Sequence, residues 1–184
     1  DIAVHFNENF AKLDLGLKAQ LATDSKNSAI RYKAALDATG LVTSAVIISP
    51  PDTREGHDDT DETKDPEVQA WWKAAVGNDP DAYENGVIED FGTDGPPDIL
   101  IVVDKLLTGF DEPRNAVLYI DKYLKGHNLL QAIARVNRLH EAKKHGFLID
   151  YIGILAELDT SIQNYQDLAD QTQGGYDIDD LVGT

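Results

Sequence analysis

The sequence predicts an α/β domain: an open, mostly parallel sheet with helices on both faces. Two observations carry this expectation. Three nearly unbroken apolar runs, Ile99–Val103, Ala116–Ile120 and Phe147–Tyr151, have strand length and the continuous hydrophobicity of strands buried on both sides. Segments with helical periodicity stand between such runs, and strands alternating with helices are the pattern of a parallel sheet. With 184 residues the chain is long enough to bury a full core of this kind.

In chain order, Phe6 and Phe10 among Asn, Glu and Lys make residues 1–16 a short amphipathic helix or a lead-in strand. Lys18–Thr23 has strand length. Asp24–Ser28 is a polar turn with several candidate N-caps, opening a helix over Ala29–Leu36 that closes at Thr39-Gly40. Val42 and Ala45–Ser49 form a second strand, stopped by Pro50-Pro51. Residues 51–97 then read as an acidic insertion, mostly exposed. One helix is expected in it around Pro66–Val76, with Pro66 in the first turn and Val68 and one of Trp71 and Trp72 inward. Asp94-Gly95-Pro96-Pro97 breaks the chain before the third strand. The helix between the last two strands takes Asn128 as its cap. It has Lys143, Lys144 and His145 toward its C-terminal end, and Gly146 as its stop. Residues 1–156 thus form one domain, and 157–184 a polar helix and linker toward the next.

Composition excludes several classes of function. There is no Cys, which removes disulfides and thiolate metal sites and fits a reducing compartment. No run approaches the ~20 apolar residues of a membrane span, and the N-terminus has no signal-peptide form. The missing initiator Met suggests a processed product or a piece of something larger. The net charge of −17 argues against a general nucleic-acid binder with a basic surface. Of the 33 acids, however, 14 lie between Pro51 and Gly95, opposed only by Arg54, Lys64 and Lys73. Basic patches elsewhere therefore remain open.

The most informative segment is Gln131-Ala-Ile-Ala-Arg-Val-Asn-Arg138. Gln131, Arg135 and Arg138 stand at i, i+4 and i+7, one helical face, while Leu129, Ile133 and Val136 fall on the opposite one. Two guanidinium forks with an amide beside them suit recognition of a phosphate chain. The plainer alternative has Gln131 completing a capping box with Asn128, and the arginines as solvated surface residues. The second segment is Asp104–Pro113, directly after the Ile99–Val103 strand, where ligands of open α/β sheets bind. Thr108-Gly109 offers a hydroxyl and a bare backbone N–H to a phosphate, and Asp111 an acceptor for a ribose hydroxyl or an Arg. Equally, Thr108-Gly109 would simply turn the chain and Asp111 would bond nearby backbone. His57 with Asp58, Asp59 and Asp61 reads as a solvated loop rather than a metal cluster. His127, His140 and His145 lack ligand spacing. No phosphate loop of the G-x-x-x-x-G-K-[ST] type occurs, nor a G-x-G-x-x-G fingerprint.

Taken in order, Ile101–Pro113 resembles motif V of superfamily 2 helicases and translocases, and Gln131–Arg138 resembles motif VI, Q-x-x-x-R-x-x-R. Lys18–Leu36 is compatible with the strand–turn–helix of motif IV. The wording Lys-Leu-Leu-Thr-Gly-Phe-Asp-Glu-Pro, then His-Asn-Leu-Leu-Gln-Ala-Ile-Ala-Arg-Val-Asn-Arg, then Gly-Phe-Leu-Ile-Asp-Tyr is similar to the motor (R) subunit of type I restriction enzymes. The resemblance implies a RecA-like fold, the second lobe of a two-lobed, ATP-dependent translocase on double-stranded DNA. It implies Arg138 as an arginine finger, Arg135 as its partner on the γ-phosphate and Gln131 as a nucleotide sensor. Thr108 and Gly109 would contact the DNA backbone, and Asp111 would couple that contact to the nucleotide. ATP and Mg²⁺ would be held mainly by the first lobe, which carries the phosphate loop. Implied partners are that lobe and a nuclease domain of the same subunit, with the methylation and specificity subunits, in the cytoplasm of a bacterium or archaeon. Ala134 stands where many relatives carry Gly, a change a helix tolerates. With half a site, the chain alone is expected neither to hydrolyse ATP nor to cut DNA. A repair or RNA helicase lobe, or a non-enzymatic module binding a partner through the acidic insertion, are the alternatives.

Overall fold

Each strand expected from the sequence forms, and all five lie parallel in one sheet. They are β1 (Lys18–Thr23), β2 (Ser44–Ile47), β3 (Ile99–Val102), β4 (Asn115–Asp121) and β5 (Phe147–Asp150). The computed structural model describes residues 1–51, 65–107, 109–124 and 126–155. Asp1–Ile152 is one compact unit, and of a second, starting at Gly153, only three residues are described. The sheet order is β2-β3-β1-β4-β5. β1 is central: Leu21 lies in register with Ile101 on one side and Tyr119 on the other. A parallel neighbour on each side satisfies the backbone of an inner strand, so all six β1 residues are buried.

Side chains alternate across the pleat, which defines the two layers. Ala19, Leu21, Val46, Ile99, Ile101, Val117 and Tyr119 belong to one core cluster. Against them pack Phe6 of α1 (Ile2–Asn9) and Ala29, Ile30 and Leu36 of α2 (Lys26–Ala38). The lead-in is thus a helix, ending in stacked Phe6 and Phe10. Inside this cluster Tyr119 meets the His5 ring, with its hydroxyl 2.8 Å from Nδ1. Ser25 caps α2 by accepting from the N–H of Ser28, the cap expected of a polar turn.

The acidic segment is the crossover from β2 to β3. Its described part forms α3 (Pro66–Ala75), close to the expected helix, and α4 (Pro80–Phe91), which the sequence reading did not include. Both have Pro in the first turn and an Asp cap, Asp65 and Asp79. Most of their acids are exposed, Glu84 pairs with Lys105, Val68 and Phe91 are fully buried, and the Tyr83 hydroxyl donates to the Val46 carbonyl at 2.9 Å. Trp71 and Trp72 are both half-buried against the first cluster, not one in and one out. The proposed His57 cluster lies outside the described residues, and so does the expected helix over 157–169.

The last helix departs from expectation at both ends. α5 spans Gly126–Val136, so Asn128 sits within its first turn and is not the cap, and Gln131 is not at the capping-box position. It stops at Val136, so Lys143, Lys144 and His145 are not in its final turn. Tertiary contacts impose that stop. Lys143 returns to donate to the Val136 carbonyl at 2.8 Å, and a Cβ on Gly146 would overlap that same carbonyl. β5 is the edge strand, with Phe147 exposed, because β4 is its one neighbour.

Because Phe91 joins the acidic crossover to the core, Phe91→Ala should cost about 3–5 kcal/mol of unfolding free energy in urea denaturation, as for a core aromatic. A loss under about 0.5 kcal/mol would mean that the segment is a surface appendage.

Candidate functional site

The connection from β3 to β4, residues 103–114, contains no helix and runs along the sheet from one edge to the other. It starts beyond the carboxyl end of β3. There Lys122, just after β4, donates to the Val103 carbonyl at 2.8 Å and to Asp104 at 2.6 Å. Leu106 takes a left-handed conformation, φ +63°, that a branched apolar residue adopts at a cost of about 1–3 kcal/mol. Its carbonyl accepts from Gln20 Nε2 at 3.1 Å, in the middle of β1. Leu107 and Phe110 are buried, and Phe110 packs 5.9 Å from the Phe91 ring. Between them Gly109 is exposed at φ +78°, the backbone region that favours glycine. Thr108 lies outside the described residues. By Asp111 the chain has reached the opposite edge, where β4 begins.

At that edge it meets the end of α5. Leu129, Ala132 and Val136 are the buried stripe of this helix, with Ile133 half-buried, while Gln131 is exposed one turn before Arg135. Arg138 has already left the helix, so the spacing i, i+4, i+7 does not place all three residues on one helical face. Instead, Arg138 Nε pairs with Asp111 Oδ1 at 3.0 Å. Each side chain is about half exposed, 47% and 56%, so the pair contributes only about 0–1 kcal/mol and is readily exchanged. Arg135 differs: its Nε is buried and has no hydrogen-bond partner among the described residues. A buried donor left without an acceptor costs about 1–3 kcal/mol, and an incoming phosphate oxygen would remove that cost.

The site therefore joins Asp111 to Arg138, with Arg135 and Gln131 behind, and it sits away from the strand carboxyl ends. Gly109 lies part-way along the loop that links the two edges. Of the basic groups at the carboxyl edge, Lys122 is paired with Asp104 and Lys105 with Glu84, while Lys26 donates to the Pro50 carbonyl. Among the described residues no group of three or more His, Asp or Glu is arranged to hold a metal ion, and no helix is long and apolar enough to cross a membrane.

Sequence reasoning missed the buried polar residues beneath this loop: Gln20, Asn115 and Lys143. Gln20, a polar residue in the middle of an apolar strand, was a readable signal. Lys143 was legible only as a charge near a helix end. In the structure it is buried, with Nζ donating to the carbonyls of Asn115 at 2.6 Å and Val136 at 2.8 Å. Burial pushes its ammonium down to about 8, against an upward pull from Glu112.

Comparison with known proteins identifies the family of the chain. Residues 16–153 match the family described as type I restriction enzyme subunit R domain 3. The chain is 34% identical over 166 residues, 90% of its length, to the MjaIXP type I restriction enzyme endonuclease subunit of Methanocaldococcus jannaschii, covering 14% of that protein. Over 86 residues it is 43% identical to the type I restriction enzyme HindI endonuclease subunit of Haemophilus influenzae, 45% of this chain and 8% of that one. A fragment structure of an HsdR subunit of a type I restriction enzyme from Vibrio vulnificus YJ016 superposes with a TM-score of 0.57 at 17% identity. It covers 85% of this chain and 27% of the other, a likeness of fold. The chain thus spans a small part of the curated relatives' length.

The shift at Lys143 fixes a pH dependence. Unfolded, a lysine keeps its proton to about pH 10.4. From about 8 up to that value the unfolded chain binds more protons than the folded one, so stability rises with pH. Below about 8 the cost of burying the charge is present in full. Tyr119, pushed above the usual tyrosine range by burial, is common to both proteins and cancels in a comparison. The unfolding free energy of the wild type should therefore gain on that of Lys143→Met between about pH 8 and pH 10 and run parallel to it below about pH 7. Parallel curves throughout would show that this ammonium is solvated.

Proposed function

The chain belongs to the family of domain 3 of the type I restriction enzyme R subunit, and from that premise we propose that it is the second motor lobe of an ATP-dependent translocase acting on double-stranded DNA. The observation that carries the proposal is the meeting of the two motif-bearing segments at one place, the 3.0 Å pair of Arg138 and Asp111. Arg135, in the last turn of α5, holds a buried donor with no acceptor among the described residues. An exchangeable arginine beside an unsatisfied one suits a triphosphate better than a permanent structural role, which would have supplied both with partners.

In this reading ATP supplies the transferable phosphoryl group when bound between this lobe and the first. Arg138 leaves Asp111 and, with Arg135, donates to γ-phosphate oxygens, neutralising the charge that builds as the group transfers. Gln131, exposed one turn earlier on α5, reports the presence of nucleotide. Asp111, freed when Arg138 departs, links the nucleotide to the loop holding Gly109. That glycine and Thr108 present the loop backbone to DNA phosphates. Since Lys105 and Lys122 are already paired, DNA contact by the loop rests on neutral donors, and binding by this segment is weak.

In this proposal Mg²⁺ and the attacking water are held mainly by the first lobe. The segment by itself neither hydrolyses ATP nor cleaves DNA. The cut is made by a nuclease domain of the same subunit, working with the methylation and specificity subunits in the cytoplasm.

Arg138→Ala or Arg135→Ala, placed in the full-length subunit, should lower kcat for ATP hydrolysis by roughly 10³-fold or more, with duplex affinity retained. An equal loss of thermal stability without a specific loss of kcat would assign the arginines a structural role. Turnover by the isolated segment that Arg138→Ala abolishes would overturn the shared-site reading.

A further inference from the structure

Three buried polar side chains in this domain have no part in the contacts assigned above, yet they form one connected chain. Gln20, Asn115 and Lys143 are 1%, 1% and 8% exposed. Gln20 Nε2 donates to the Leu106 carbonyl at 3.1 Å, and Gln20 Oε1 accepts from Asn115 Nδ2 at 2.9 Å. The Asn115 carbonyl accepts from Lys143 Nζ at 2.6 Å, and the same ammonium reaches the Val136 carbonyl at 2.8 Å. The path begins in the loop carrying Gly109 and ends at the residue following Arg135.

Packing alone does not call for it. Gln20 is flanked in register by Leu100 and Leu118, both fully buried, so an apolar side chain at this position would serve the core. The polar chain is also imperfectly satisfied, since Asn115 Oδ1 is buried without a partner, and such networks are costly unless complete. At one end the chain grips the carbonyl of the residue held at φ +63°. At the other it sets where α5 stops, and hence where Arg138 departs. The carbonyl of Leu106 cannot shift without breaking its bond to Gln20 or carrying Gln20 with it. The change then reaches Asn115, Lys143 and the end of α5.

We infer that Gln20, Asn115 and Lys143 are positioning residues that couple contact with duplex DNA at the Leu106–Gly109 end of the loop to the placement of Arg135 and Arg138. The inference rests on the motor reading above and adds the residues that transmit between its two contacts. Coupling between two binding sites is reciprocal, so it can be read as a change of DNA affinity caused by nucleotide.

The experiment uses the full-length subunit, a fluorescent DNA duplex and a non-hydrolysable ATP analogue with Mg²⁺. In the wild type the analogue should change duplex Kd by roughly 5-fold or more. In Gln20→Met the ratio of duplex Kd without and with the analogue should fall below about 2-fold, and Tm should drop with the loss of two buried hydrogen bonds while the subunit stays folded. Lys143→Met should act in the same way, and Lys143→Arg, which keeps donors for both carbonyls, should restore part of the effect. Should Lys143→Met fail to fold, Gln20→Met decides by itself, because it exchanges unbranched side chains of similar length. Full coupling in Gln20→Met, or none in the wild type, overturns the inference. If Arg138→Ala abolishes hydrolysis while Gln20→Met keeps its coupling, the relay alone fails. If Arg138→Ala hydrolyses ATP normally, the motor reading fails with it.

Discussion

The buried ammonium of Lys143 is the constraint on which the site depends. It binds the last carbonyl of α5 to the first residue of β4, and Gly146 closes against the same helix end. A helix that continued would carry Arg138 one full turn from Arg135 on the α5 surface. Because α5 stops at Val136, Arg138 reaches across to Asp111 instead. Burying the charge opposes folding at neutral pH, and the two carbonyl acceptors offset that cost. An apolar residue here would leave both carbonyls unsatisfied.

The two arginines are held by opposite means. Arg138 is exposed and paired, in a bond weak enough to exchange for phosphate. Arg135 is partly buried, and its Nε has no hydrogen-bond partner among the described residues. In the proposed motor, one group that moves and one held by the helix are what a site completed by a second lobe requires. The long link from β3 to β4 makes this possible: with no helix among its described residues, it passes over β1 from the carboxyl end of β3 to the amino end of β4 and delivers Gly109 and Asp111 to different places.

The charge of the chain finds its place in the same fold. Of the acids concentrated before Gly95, the described ones lie on and beside α3 and α4, in the crossover from β2 to β3, and Asp94, just after α4, pairs with Arg114. α5 packs on β4.

The fold class and every strand were legible because each strand is an uninterrupted local pattern whose meaning does not depend on its neighbours. Gly109 was legible as a turn residue, and Arg135 and Arg138 as two guanidinium groups set close together, because residue chemistry and short spacing survive without coordinates. The sequence did not reveal α4, whose apolar residues are sparse among acids, since burying Phe91 takes a partner, Phe110, that lies 19 positions away. Nor did it reveal where α5 ends, because a helix of good formers is halted by Lys143 and Gly146 approaching from outside. Sequence determined which groups the protein brings to its site: local pattern sets secondary structure and residue type sets chemistry. Tertiary structure alone decided that Arg138 meets Asp111 and that Arg135 is left wanting an acceptor, because burial and the closing of one helix end are properties of the packed chain.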